Sequence, residues 1–223
     1  MTARIDIQSL FDRVRTFAPE TDCRARFLAF YAAGIAIADN KLMRALLKRA
    51  DEHDTSHPHL YETVLQSYLF LGFPRMLQAA DLLNELFPTE PAQSQFRQIS
   101  PDESHDWFSR GERLCRNVYR DAYDPLKQRI EAFAPEIFRW MIIEGYGKVL
   151  SRPVLSSVER ELAIVGSLIA DNRPTQLFSH MRGALNVGAE PSLVVAVVED
   201  LGEPFGDGYH TALNACRRLG IAP

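Results

Sequence analysis

The sequence lacks the patterns of metal-binding, disulfide-rich and membrane-spanning proteins. Its three cysteines, Cys23, Cys115 and Cys216, are odd in number and widely spaced, and they match no metal-ligand or disulfide spacing. They are interpreted as buried small apolar residues, with a chemical role as the alternative. The longest apolar stretch, residues 27–38, is well short of the roughly 20 residues that cross a bilayer, so no membrane partner is expected.

Concentrated positive charge is also missing. The formal net charge is −4 over 223 residues, and no run contains five or more basic residues. Proteins that bind nucleic acids or anionic membranes usually carry a clustered basic surface. We therefore expect no nucleic-acid partner and favour a small molecule or another protein. The polar N-terminus favours a cytoplasmic location.

The pattern that is present is helical. Apolar residues recur every three or four positions between the turn signals, and no segment shows the alternating pattern of a strand, so an all-α chain is predicted. The segment 27–38 is too widely apolar for a surface helix and should be central. Residues 91–104 are rich in Pro, Ser and Gln and are interpreted as a linker between helical units at 1–90 and 105–223.

An internal repeat connects the two halves. Residues 34–40 read GIAIADN and residues 166–172 read GSLIADN, at a constant offset of 132. Further along, residues 43–45 (MRA) are echoed by residues 181–183 (MRG). Two matches in the same order favour two degenerate copies of one helical unit that pack on each other, and chance similarity is the alternative.

Two polar residues fall on apolar helical stripes in the second copy. Glu161 lies on the inward stripe of a helix that starts with a capping box, and His180 lies on the inward stripe of the next helix. We predict that the two side chains meet beside a pocket, because a buried charge without a partner is costly. The pair is interpreted either as functional or as a satisfied buried ion pair, with Arg160 or Arg182 as candidate further members.

The repeat provides a comparison for this pair. By the offsets of the two matches, Glu161 corresponds to Ala29 and His180 corresponds to Leu42. Both positions are therefore apolar in the first copy. Because apolar residues often replace a buried ion pair without loss of stability, the comparison favours a functional role for the pair.

The surroundings of the pair resemble a known family. The similar segments are residues 160–162 (REL), residues 180–188 (HMRGALNVG) and the apolar residues 194–199. Together they look like the signature of the carboxymuconolactone decarboxylase and alkyl hydroperoxidase D-like family. The resemblance covers residues 144–200, with a fainter echo in residues 26–80.

The resemblance implies a helical bundle of the alkyl hydroperoxidase D-like type that forms a homo-oligomer and needs neither a cofactor nor a metal. The family includes a cofactor-free decarboxylase and a thiol-dependent peroxidase branch. In the peroxidase branch a CxxC motif precedes the histidine, whereas the matching positions here are Arg173 and Gln176. The proton-relay residues of that branch correspond to Glu161 and His180.

These observations lead to a ranked set of functions. The first is a cofactor-free lyase, in which His180 moves a proton on a small acidic substrate and Glu161 orients the imidazole. Arg182 or Arg152 would bind the substrate carboxylate, and His210 would line the pocket. The alternatives are a catalytically silent binding or assembly protein of the same fold and, less favoured, a thiol-dependent antioxidant that uses a lone cysteine.

Overall fold

A computed structural model of the chain describes residues 22–88 and 101–221. Within these ranges every regular element is a helix, which confirms the all-α prediction. In chain order the α-helices are α1 (Cys23–Ile37), α2 (Asn40–Leu47), α3 (His57–Leu86), α4 (Pro101–Tyr119), α5 (Tyr123–Glu131), α6 (Pro135–Trp140), α7 (Ser157–Ala170), α8 (Pro174–Asn186), α9 (Pro191–Leu201) and α10 (Asp207–Leu219). In the described ranges no helix combines the length and the hydropathy that a bilayer crossing requires.

The chain divides into two compact units, and the division differs from the predicted one. Unit 1 joins Met1–Phe87 to Val154–Pro223, and unit 2 is Pro88–Pro153. The two copies of the repeat thus share one unit instead of forming separate ones, because their apolar helices bury each other. Residues 91–100 of the predicted linker lie outside the described ranges. Residues 101–104 belong to α4 and not to a linker.

The core of unit 1 is built around α1 and α7. Every residue of α1 from Ala25 to Ala36 is buried, which confirms the prediction of a central helix. The two helices approach closely: a Cβ atom added to Gly166 would overlap the carbonyl oxygen of Ala29. Ser167 also donates a hydrogen bond to the carbonyl oxygen of Ala32, at 3.3 Å. The helices that contain the repeated segments therefore pack directly on each other, as predicted.

The packing of the neighbouring helices follows the repeat. The third helix of each copy, α3 or α9, packs on the first helix of its own copy and on the first helix of the other copy. Both third helices reach a glycine with unusual backbone angles, Gly72 (φ 77°, ψ 167°) and Gly202 (φ 58°, ψ −164°). Each glycine stands two residues before a proline, Pro74 or Pro204. The reciprocal contacts and the shared Gly-x-Pro sequence support the predicted duplication.

Unit 2 consists of α4, α5, α6 and a π-helical segment, Met141–Leu150. Two glycines allow α4 and the π-helical segment to approach closely, since a Cβ on Gly111 or Gly147 would overlap a carbonyl oxygen of the opposite segment. Arg110 reinforces the contact by donating two hydrogen bonds to the carbonyl oxygen of Gly147, at 3.1 and 2.9 Å. Unit 2 thus has its own helical packing.

Candidate functional site

The predicted pair of polar side chains is formed in the core of unit 1. Nδ1 of His180 lies 2.8 Å from Oε2 of Glu161. Both residues are buried, with 5% of His180 and 2% of Glu161 exposed. The structure therefore confirms that the two side chains meet within direct hydrogen-bonding reach. The pocket that was expected beside them stays a prediction.

Local sequence explains why the two side chains face each other. Helix α7 starts at the predicted capping box, in which the Ser156 hydroxyl accepts from the Glu159 amide at 3.2 Å and the Glu159 carboxylate accepts from the Ser156 amide at 2.8 Å. This fixes the start of α7 and hence the face on which Glu161 lies. A short turn leads to α8, where Pro174 occupies the first turn. Because α8 packs on α7, the buried face of α8 brings His180 to the carboxylate.

The hydrogen bond uses only one polar atom of each side chain. In the described part of the chain, Nε2 of His180 and Oε1 of Glu161 make no hydrogen bond. The imidazole is thus held at one nitrogen and keeps the other nitrogen for a further partner. A ring fixed in this way is suited to proton transfer, because its orientation is set while the second nitrogen stays available.

Neither of the arginines considered as partners joins the pair. Arg160 is buried and donates to Glu62 at 2.8 Å and to Gln66 at 3.1 Å, which are both on α3. Arg182 is exposed. Two residues along a helix correspond to about 200° of rotation, so the side chain of Arg182 points away from that of His180. The alternative of an ion pair with Arg160 or Arg182 is therefore wrong.

The predicted substrate-binding residues are all at the surface. Arg182 and His210 are exposed and make no hydrogen bond with Glu161 or His180. Nε2 of His210 lies 3.5 Å from the exposed carboxylate of Glu203. Arg152 is exposed in unit 2. The role of these three residues in substrate binding stays a prediction.

The sequence did not single out Phe70, which contacts the pair from the first copy of the repeat. The ring of Phe70, on α3, meets the His180 imidazole edge to face, with centroids 5.3 Å apart and an angle of 85° between the planes. The only signal in the sequence was the faint family echo that includes this part of α3. Periodicity along one helix cannot reveal a contact between side chains more than a hundred residues apart.

A second buried pair was also missed. Arg26 on α1 donates two hydrogen bonds to the carboxylate of Asp200 on α9, at 2.7 and 2.6 Å, and both side chains are at most 1% exposed. The pair links the first helix of one copy to the third helix of the other. Its planar, two-point geometry is typical of a strong structural ion pair.

The cysteines fit the predicted structural role only in part. Cys115 and Cys216 are buried, as expected, whereas Cys23 is exposed at the first position of α1. Burial, reinforced by the charge of Glu199, raises the pKa of the Cys216 thiol to about 11. Because the thiolate is the reactive form, Cys216 is poorly suited to redox chemistry near neutral pH.

Comparisons with known proteins give two distant relatives. No protein-family model matches the chain. The chain is 27% identical over 154 residues to Peroxisomal protein 2 of Schizosaccharomyces pombe, a match that covers 68% of this chain and 71% of the relative. It is 23% identical over 160 residues to Peroxisomal protein 2 of Saccharomyces cerevisiae, which covers 61% of this chain and 56% of the relative. The chain thus spans little more than half the length of the second relative. The shared name gives a location and no reaction, so the resemblance to the decarboxylase family stays a prediction.

Proposed function

We propose that this chain is a cofactor-free, carboxymuconolactone decarboxylase-like lyase that acts on a small acidic substrate through a proton relay between Glu161 and His180. The observation that supports this function is the buried 2.8 Å hydrogen bond between Glu161 Oε2 and His180 Nδ1. It fixes the imidazole and leaves Nε2 without a hydrogen bond in the described part of the chain. Carboxylate and imidazole together are the usual components of a general acid–base device.

The proposed roles follow from this geometry. The proton on Nδ1 of His180 is used in the hydrogen bond to the Glu161 carboxylate. The proton that is exchanged with the substrate is therefore the one on Nε2. In a decarboxylation the bond to the carboxyl carbon breaks and CO2 leaves. The electron pair that remains on the substrate carbon then takes a proton from the imidazolium. The neutral imidazole that results regains a proton from water. Glu161 stabilises the imidazolium during this cycle and keeps the ring in one orientation.

The acidic substrate requires a cationic partner. The sequence names Arg182 and Arg152 as candidates for this role, because a guanidinium can bind a carboxylate through two parallel hydrogen bonds. His210 is proposed as a further lining residue. We also propose that the chain forms a homo-oligomer, which light scattering at micromolar concentration tests directly.

A catalytically silent binding or assembly protein of the same fold is the second candidate. The observation that favours it is that the core of unit 1 contains other buried ion pairs, Arg26–Asp200 and Arg160–Glu62, which bind the helices together. The Glu161–His180 pair would then be one more structural contact. The two candidates differ in whether the pair is needed for turnover or for stability.

A thiol-dependent antioxidant is disfavoured by the residues at the CxxC positions. The positions of the CxxC motif are occupied by Arg173 and Gln176, and a single thiol has no resolving partner. We expect no catalytic reduction of an alkyl hydroperoxide by a dithiol, and robust turnover in a coupled assay would restore this candidate.

The location of the protein is proposed separately. The sequence favoured the cytoplasm, whereas the name that the two relatives share favours the peroxisome. Fluorescence microscopy of the tagged chain beside a peroxisomal marker distinguishes the two locations. Diffuse fluorescence supports the cytoplasm, and fluorescence confined to the marker supports the peroxisome.

The function is tested by screening small carboxylic acids and carboxylated lactones by proton NMR in D2O, where both loss of CO2 and uptake of deuterium are visible. For any substrate that reacts, we expect His180→Ala to reduce kcat by about 10²- to 10⁴-fold, the usual share of a general acid–base. Glu161→Gln should reduce it less. His57→Gln, at the partly exposed start of α3, is the matched control and should leave kcat unchanged. Full activity of His180→Ala would contradict the relay and favour the silent protein.

A further inference from the structure

We propose that Phe70, which the first copy of the repeat contributes, controls access to Nε2 of His180 and so determines which substrates reach it. The proposal rests on the proposed function for its biological meaning, although its physical content can be tested without a substrate. It assigns to the first copy, which has no acid–base pair of its own, a direct part in the site of the second copy.

The contact of Phe70 with the imidazole supports this role. Its ring packs edge to face on His180, with centroids 5.3 Å apart. His180 is 5% exposed, whereas Phe70 is partly exposed. The one polar atom of the imidazole without a hydrogen bond in the described chain is Nε2. A partly exposed aromatic ring in contact with a nearly buried imidazole is placed to act as a barrier.

The part of α3 that contains Phe70 is less deeply buried than the part before it. In the first part of the helix, residues 62–64 and 66–67 are buried, but from residue 68 to residue 77 none is. This partly exposed segment is almost entirely apolar, and it bends at Gly72. A ligand that approaches the imidazole past Phe70 therefore meets an apolar surface. This favours an organic acid with a flat, apolar body over a short polar one.

The repeat supports a special role for this position. When Gly72 is aligned with Gly202, Phe70 corresponds to Asp200. Both residues reach from the third helix of one copy to the other copy: Asp200 forms the ion pair with Arg26, and Phe70 contacts His180. The same position of the repeat thus forms an ion pair in the second copy and an aromatic contact in the first copy.

The test measures the reactivity of His180 toward diethyl pyrocarbonate. The unprotonated ring nitrogen attacks a carbonyl carbon of the reagent, an N–C bond forms, and ethyl carbonate leaves as CO2 and ethanol. Peptide mass spectrometry gives the rate at each histidine of the full chain. In the wild type we expect His180 to react more slowly than the exposed His210.

Substitution of Phe70 should change that rate in both directions. We expect Phe70→Ala to raise the rate at His180 by about fivefold or more and Phe70→Trp to lower it, because access limits the reaction of a nearly buried group. Phe73→Ala, which removes an exposed ring from the same helix, is the matched control and should leave the rate unchanged.

The buried His53 reports on the integrity of the fold. If Phe70→Ala raises the rates at His53 and His180 together, the core has loosened. The proposal is then tested by Phe70→Trp, which should lower the rate at His180. An unchanged rate at His180 in both Phe70 variants, or an equal effect of Phe73→Ala, would overturn the proposal. These outcomes do not depend on turnover, so they are distinct from a failure of the proposed function, which is decided by the activity of His180→Ala.

Discussion

At the scale of single residues, the buried pairs of unit 1 differ in how completely their hydrogen-bonding groups are used. In the pair of Arg26 and Asp200, both carboxylate oxygens accept a hydrogen bond from the guanidinium. In the pair of Glu161 and His180, one oxygen and one nitrogen make no hydrogen bond in the described part of the chain. The unsaturated pair has polar atoms available for a ligand.

The structural pair makes a strong prediction about stability. Asp200→Asn removes the charge that balances Arg26 in the core, and we expect a loss of about 3–5 kcal/mol in the free energy of unfolding. The matched control is Glu85→Gln, which breaks an exposed ion pair that Arg44 also forms through two hydrogen bonds. This variant should have little effect on the free energy of unfolding. Urea unfolding followed by circular dichroism measures both. Similar small losses for the two variants would show that the buried pair contributes no more than the exposed one.

The cysteines give a prediction about pH. Since burial, with the charge of Glu199, raises the pKa of Cys216 to about 11, its thiol stays protonated at pH 8, where only about one molecule in a thousand carries the thiolate. We expect iodoacetamide to alkylate exposed Cys23 first, and the rate at Cys216 to rise about tenfold per pH unit up to about pH 11. Mass spectrometry of the peptides gives both rates. Equal rates for the two cysteines at pH 8 would contradict the proposed environment of Cys216.

At the scale of the helices, the crossing of α1 and α7 determines how the two copies fit together. The approach is close because the residues at the crossing are small, and the backbone of α1 occupies the space in which a side chain at Gly166 would lie. The equivalent glycine of the first copy, Gly34, is less confined: an added Cβ would lie 3.3 Å from the nearest atom, in the flexible side chain of Met43. The two copies therefore differ in how closely their equivalent glycines are packed.

This asymmetry is tested by one substitution in each copy. Gly166→Ala forces α1 and α7 apart, and we expect it to reduce the free energy of unfolding by about 3 kcal/mol, at the upper end of overpacking effects. Gly34→Ala should be close to neutral, because Met43 can adjust and alanine favours the helix. Thermal unfolding of the two variants beside the wild type provides the measurement. Equal destabilisation would mean that the two glycines are equally confined.

At the scale of the whole molecule, the sequence predicted the features that depend on local spacing. The helical class, the central place of α1 and the contact between Glu161 and His180 all follow from apolar periodicity and a capping box. The division into units was not predicted, because unit 2 is itself helical and looks like a continuation of the second copy. The contact of Phe70 and the ion pair of Arg26 were missed, since both depend on how distant segments pack and not on local spacing.

The two copies of the repeat differ at the positions of the acid–base pair. Ala29 and Leu42 occupy the positions of Glu161 and His180 in the first copy, and both are buried in the core. In the proposed mechanism the first copy supplies a scaffold and an aromatic wall, and the second copy supplies the acid–base pair. The central claim is that this pair serves chemistry and not stability.

The most direct test of that claim is to replace both members of the pair with apolar residues of similar size and to measure the free energy of unfolding. His180→Leu alone leaves a buried carboxylate without its partner and should cost about 3 kcal/mol. The double variant Glu161→Met/His180→Leu removes both polar groups, and the account predicts a stability equal to or above that of the wild type, because a functional pair is not needed to hold the core together. A double variant that loses several kcal/mol in urea unfolding would show that the pair is a structural contact and would contradict the claim.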